Sequence, residues 1–277
     1  MSNPFSHSAH RWYSPLLSSL VALGICVGTP QTTLAIPWLD LLIQGTRVYQ
    51  LYNISDKEEI QLGRQINQQL IGEFQLYNNP RVNGYVDRIG QRLAQNSTRP
   101  DIPYTFQVVK DDSINAFATA GGYVYVTTGL LQAAENEAQL AAVLAHEIAH
   151  IASRHLVEQM RETAVARGLT TAAGIDDSTA VQLGVELALR RPHSRSDEFE
   201  ADAKGVETLG RAGYAQVAMI NFLEKLRNQR STPTFLSTHP ATSDRIARLK
   251  RQLDIQQARE GKGLNEAAYQ ARIKPLS

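Results

Sequence analysis

The sequence predicts an α+β fold that is mainly helical, and three observations lead there. Apolar residues recur at three- and four-residue spacings over much of Ser55 to Leu253, the period of helices that bury one face. Two short segments, Tyr104–Val109 and Gly122–Thr128, instead alternate and are rich in β-forming residues, as strands are. Turn-forming breaks such as Asn78-Asn79-Pro80 and Pro100-Asp101 separate the patterns.

The 277 residues allow one sizeable domain, or at most two small ones. A hydrophobic fraction of 43% and a charged fraction of 20% exclude a mostly disordered chain. The net charge is +1, and basic residues cluster only in pairs such as Arg190-Arg191. Nucleic acid is therefore not an expected partner.

Residues 1–35 read as a secretory signal. Arg11 precedes an apolar run from Leu16 to Val27, and Thr33-Leu34-Ala35 offers small residues at the −3 and −1 positions of a cleavage site. The run falls short of the roughly 20 residues needed to span a bilayer. Cys26, the one cysteine, lies inside it after Ile25, where a lipoprotein signal has a small residue. Cleavage after Ala35 leaves no cysteine, which rules out thiolate ligands and disulfides. It also removes Arg11, the one charged residue there, taking 28 basic residues to 27 against 27 acidic.

The domain is expected over 36–254. Residues 36–54 read as an apolar covering helix, with room for peripheral membrane association. Ser55 with Glu58 has the form of a capping box, opening a helix through Ile60, Leu62, Ile66 and Leu70. A second helix carries Val82, Val86, Ile89 and Leu93. After the two strands, one long helix is expected from about Glu135 past Met160. A flexible segment over 163–191, with a short apolar helix at Val181–Leu189, is a candidate lid. Further helices are expected over Ser196–Gly210, Asn221–Arg227 and Ser243–Leu253. The polar tail at 255–277 is expected to be loose.

The chemistry centres on His146-Glu147-Ile148-Ala149-His150. Four residues advance a helix by about 400°, so both imidazoles share a face one turn apart. That spacing suits a single zinc ion. Glu147, from the same turn, is placed to take a proton from water attacking a peptide carbonyl polarised by zinc. HExxH alone is a moderate signal, since two histidines on an ordinary helix also produce it. Burying two imidazoles and a carboxylate in an Ala-rich helix without a metal or partners would be costly, however.

No histidine stands six residues beyond His150, where Leu156 is found. His155 is about 140° off the ligand face on a continuous helix, so it reads as a structural or surface histidine. Arg195-Ser-Asp-Glu198-Phe-Glu200-Ala-Asp202 offers carboxylates instead. Glu198 and Asp202 share a face. One can ligate zinc while the other accepts the second N–H of a ligand histidine. Glu200 points elsewhere, solvated or paired. Alone, this cluster would read as an acidic helix start.

Together these motifs resemble the HtpX- and BepA-type zinc metallopeptidases, whose wider family includes the CAAX prenyl endopeptidases. The resemblance runs from about Ser55 to Leu253. It rests on Asn115-Ala-Phe117 leading to Gly121-Gly122, on Gly129-Leu130-Leu131, on the HEIAH and SRSDEFEAD segments, and on Ser237-Thr-His239-Pro-Ala-Thr-Ser-Asp-Arg245. It implies a compact metallopeptidase core with a small sheet beside the HExxH helix. It implies one Zn2+ per chain, held by His146, His150 and Glu198 with Asp202 as companion. The strand from Gly122 would border the cleft and accept an extended substrate, with Asn115, Gly121 and Gly122 nearby. Arg245 would approach the metal to stabilise an oxyanion. His239 would do likewise, or would occupy the open metal position and hold the enzyme latent.

Ala120 replaces the family's frequent Pro, and His193 replaces a frequent aromatic, which would make His193 an adventitious metal contact or a loop residue. The implied activity is zinc-dependent endopeptidase action on extended or misfolded polypeptides, in the periplasm or at the non-cytoplasmic side of a membrane. The rival is a non-cleaving zinc protein that binds unfolded chains. The oligomeric state is not legible.

Overall fold

A computed structural model describes residues 48–169, 174–229, 231–240 and 243–276. The expected signal segment, its cleavage site, Cys26 and most of the expected helix over 36–54 lie outside these residues. The end of that span is not helical: Val48–Tyr49 form a short strand, β1, followed by a turn.

Helix α1 spans Asp56–Glu73. Ser55 accepts from the Glu58 amide, and Glu58 reaches back to the Ser55 amide, an arrangement worth about 1 kcal/mol. Helix α2 (Pro80–Gln95) begins where Asn79 accepts from two amides and Pro80 occupies the first turn, where a missing N–H costs nothing.

Strands β2 (Thr105–Val109), β3 (Ala116–Ala118) and β4 (Tyr123–Thr127) form one sheet in the order β2-β4-β3. Strand β4 pairs with β2 in parallel, Thr105 opposite Tyr123, and with β3 antiparallel, Phe117 opposite Tyr125. The two-residue alternation sends Val124 and Val126 to one core and Tyr125 to another. Strand β4 is therefore central, and the sheet edge near the HExxH helix belongs to β3. This corrects the expectation that a substrate strand adds at Gly122. The Gly121-Gly122 pair has φ of 71° and 102°, and an added Cβ would lie 2.8 Å from Glu59 O or Pro103 O. The close backbone belongs to the protein itself: Gly121 lies against α1, and Gly122 against Ile102 and Pro103 before β2.

After α3 (Thr128–Ala133), the expected long helix is two. Helix α4 (Glu137–Ala152) carries HExxH, and α5 (His155–Ala166) follows a break at Arg154, whose φ of 58° is left-handed. Every residue of α4 from Ala138 to Ile151 is buried, so α4 is the central element. It packs against α2 on one side and, on the other, against α7 (Arg195–Arg211) and α8 (Val217–Arg227).

Within 174–191 a strand β5 (Ile175–Asp176) pairs with β1, and α6 (Asp177–Arg190) packs on α1 and α5. The segment expected to be a flexible lid is thus largely helix, and its Leu183 belongs to one core cluster with Ile66, Leu156 and Met160. Short α9 (Thr234–Thr238) and helix α10 (Ser243–Gln252) follow. The tail is not loose. Helices α11 (Ile255–Ala258) and α12 (Glu266–Ile273) return to the core, where buried Tyr269 donates to Leu131 O at 2.6 Å. No described helix is long and apolar enough to cross a membrane.

Candidate metal centre

Helices α4 and α7 cross closely. Gly205 allows this, since a Cβ there would sit 3.3 Å from the His146 backbone. The crossing brings Glu198 and Asp202 of α7 against His146 and His150 of α4. His146 Nε2 lies 3.1 Å from His150 Nε2 and 3.5 Å from Glu198 Oε2, and His150 Nε2 lies 3.4 Å from Glu198 Oε1. His239, from the loop after α9, adds Nδ1 at 3.0 Å from Glu198 Oε1 and 3.3 Å from His146 Nε2. One ligand atom from each of these four residues lies within 4.8 Å of the others, and all four are buried.

This donor set fits a divalent cation such as zinc, which favours imidazole nitrogen and carboxylate oxygen. Nitrogen lone pairs converging at about 3 Å repel unless a proton or cation lies among them. Neither oxygen of fully buried Glu147 has a hydrogen-bond partner among the described residues, nor does His239 Nε2. The two groups stand 3.5 Å apart.

A buried ionic frame surrounds the cluster. Asp202 Oδ1 is 3.2 Å from His146 Nδ1. Arg245, 2% exposed, donates to Asp202 from Nε at 2.7 Å and Nη2 at 2.6 Å. Its Nη1 pairs with Glu198 Oε2 and reaches the carbonyls of His239 and Pro240 at 3.3 and 3.2 Å. The guanidinium is thus engaged by carboxylates and carbonyls in this conformation.

The frame sets the protonation preferences. Burial opposes a charged His146, yet the Asp202 and Glu198 hydrogen bonds outweigh it and push the imidazole up to about 9. Burial and neighbouring His193 push His150 well down. Burial raises Glu147 above the usual carboxylate range. Glu198 is held well below that range because His239 and Arg245 overcome the cost of burial.

The expected residues separate into two groups. His146, Glu147, His150, Glu198, Asp202, His239 and Arg245 come together. Gly121 packs on α1 and Gly122 on Ile102 and Pro103, and Asn115 sits just before β3 with its Oδ1 buried and without a hydrogen-bond partner among the described residues. His193 stacks on His150 and His239 with ring centroids 4.0 and 4.9 Å away. Its amide donates to Thr238 O at 3.0 Å, joining the two loops over the site. Of the two readings of His155, structural or surface, burial fits the first: it is buried and touches His150.

An HExxH helix crossed by a helix bearing a glutamate and an aspartate four residues apart defines a metallopeptidase centre. The chain belongs to peptidase family M48, whose sequence pattern matches residues 80–253, and which comprises zinc metalloendopeptidases. It is 33% identical over 212 residues to the beta-barrel assembly-enhancing protease of Escherichia coli (strain K12), covering 70% of this chain and 43% of that protein. The protein of the same name from Yersinia pestis is 32% identical over 251 residues, covering 84% of this chain and 51% of its own length. The mitochondrial metalloendopeptidase OMA1 of Schizosaccharomyces pombe is 31% identical over 173 residues, 60% of this chain and 51% of that one. The chain thus matches about half, or less, of each relative's length.

Proposed function

We propose that this chain is a zinc-dependent endopeptidase that cleaves extended or unfolded polypeptide in an envelope compartment, and that the described conformation is a latent one. The observation that carries this reading is the convergence of His146, His150, Glu198 and His239 beside Glu147, whose carboxylate makes no hydrogen bond among the described residues. The names of the relatives from Escherichia coli and Yersinia pestis support a role in the quality control of outer-membrane proteins.

In this reading His146 and His150 ligate through Nε2, and Glu198 supplies the carboxylate. Bound there, zinc supplies Lewis acidity toward the scissile carbonyl and the attacking water. Glu147 accepts the proton of that water and returns it to the leaving amine. Its raised affinity for a proton, a consequence of burial, suits that exchange. Asp202 orients His146, and Arg245 holds Asp202 and Glu198 in place. An extended substrate adds to the β3 edge of the sheet.

His239 competes with substrate for the metal-facing position, and its Nε2 stands next to the general base. Opening therefore requires the His239 loop to leave, together with His193 stacked on it. We further infer that residues 1–35 are an export signal and that the catalytic domain begins after it.

The test is zinc content and casein cleavage by the full chain, Glu147→Gln and Glu198→Ala. Zinc in the wild type and in Glu147→Gln, cleavage only in the wild type, and neither in Glu198→Ala is the expected result. Suppression of substrate aggregation by Glu147→Gln at wild-type level would favour the rival binder. A wild-type chain that takes up no metal refutes the central reading.

A further inference from the structure

We infer that His155 and Glu200 form a relay that orients the metal-facing histidine His150, so that His155 is a positioning residue of the centre. This rests on the proposed assignment of His150 as a ligand.

His150 presents Nε2 to the cluster, 3.1 Å from His146 Nε2. Its other nitrogen, Nδ1, lies 2.8 Å from Nδ1 of His155. His155 is 2% exposed, and its Nε2 lies 3.4 Å from Glu200 Oε2. Glu200 is held in turn by Lys204 Nζ at 2.6 Å and Ser153 Oγ at 3.0 Å.

Donor and acceptor rules leave one self-consistent assignment. A lone pair on His150 Nε2 requires the hydrogen on Nδ1. That N–H donates to His155 Nδ1, which must then be bare. With Nδ1 bare, the hydrogen of His155 is on Nε2 and donates to the Glu200 carboxylate. Each step fixes a tautomer and a ring orientation, and the chain ends on the Glu200 carboxylate, itself held by Lys204.

His146 instead has its Nδ1 facing a carboxylate directly, 3.2 Å from Asp202 Oδ1. The two ligand histidines thus differ: one is backed by a buried, arginine-paired carboxylate, the other by an imidazole leading to a half-exposed one. Outer partners of this kind set ligand direction and basicity.

The test uses the full chain, with zinc affinity read by chelator competition and histidine tautomers by long-range 1H–15N NMR of the zinc-loaded protein. His155→Phe should weaken zinc binding by roughly ten- to a hundredfold. His155→Gln, whose amide carries both an acceptor and a donor, should recover most of that loss. A packing role predicts the reverse order, because Phe fills the site better than Gln. Glu200→Ala, at a half-exposed position that should leave folding intact, should weaken binding in the same direction but less. The spectra should show His150 protonated on Nδ1 and His155 on Nε2. Wild-type zinc affinity in both His155→Phe and Glu200→Ala, or His155 protonated on Nδ1, would overturn the relay alone. A wild-type chain without zinc affinity would instead overturn the metal centre beneath it.

Discussion

Removing the Arg245 side chain tests the buried frame that holds the centre. The guanidinium makes two short hydrogen bonds to Asp202 and an ion pair to Glu198, and all three residues are at most 3% exposed. Arg245→Met keeps the apolar stem and leaves two carboxylates buried with only imidazoles for partners. Breaking a buried pair costs about 3–5 kcal/mol, because the surviving charge stays desolvated. Two orphaned carboxylates place this variant at the upper end of that range.

The assay is urea denaturation of the metal-free chain at neutral pH. Arg195→Ala is the control: its partner Asp244 and Arg195 itself are exposed, with side chains at 62% and 67%, so its loss should stay within about 1 kcal/mol. A loss for Arg245→Met no larger than for the control would refute the argument. The double variant Arg245→Met/Asp202→Asn should cost less than the sum of its parts, since one orphaned charge is gone. The pH dependence has a definite sign. Asp202 is held below its ordinary value although burial opposes this, because Arg245 and His146 hydrogen-bond to it. The Arg245 contribution is therefore complete at neutral pH and is lost only as acid protonates the carboxylate below its usual range.

Three further outcomes are expected. His239→Ala should retain zinc through His146, His150 and Glu198 while cleaving casein faster than wild type; loss of zinc or unchanged cleavage counts against latency. Gly63→Ala should lower stability by about 1–3 kcal/mol, read as a shift in the urea midpoint, because its Cβ would fall 2.0 Å from Ala120 O where α1 meets the turn between β3 and β4. Zinc should raise the melting temperature in wild type, with about 2.7 kcal/mol of stabilisation at a hundredfold excess over Kd, and should have no such effect on Glu198→Ala; equal shifts in both would place zinc elsewhere.

Local chemistry made much of this protein legible before folding. The Ser55–Glu58 cap and the apolar spacing after it announce α1, and the alternation at Tyr104–Val109 and after Gly122 announces two strands. Helical period alone puts His146 and His150 on one face, and Glu198 and Asp202 on another, because each pair is four residues apart within an unbroken helix. Counting residues works only while the helix continues, and His155 shows where it stops. On an uninterrupted helix it lies about 140° from the ligand face. The left-handed residue Arg154 starts a new helix direction and turns its ring onto His150.

Elsewhere the signals were too short or too polar. Strand β3 has three residues, fewer than alternation needs to show itself, so its place at the sheet edge emerges only from pairing. Helix α12 buries only Tyr269 and Ile273 of its eight residues, and its composition reads as a tail. Residue types and local period determined which groups this chain carries and which of them share a helix face. The tertiary structure decided which faces meet, because the α4–α7 crossing, the engagement of Arg245 by two carboxylates and the entry of His239 join residues up to about 100 positions apart, a separation that no local pattern encodes.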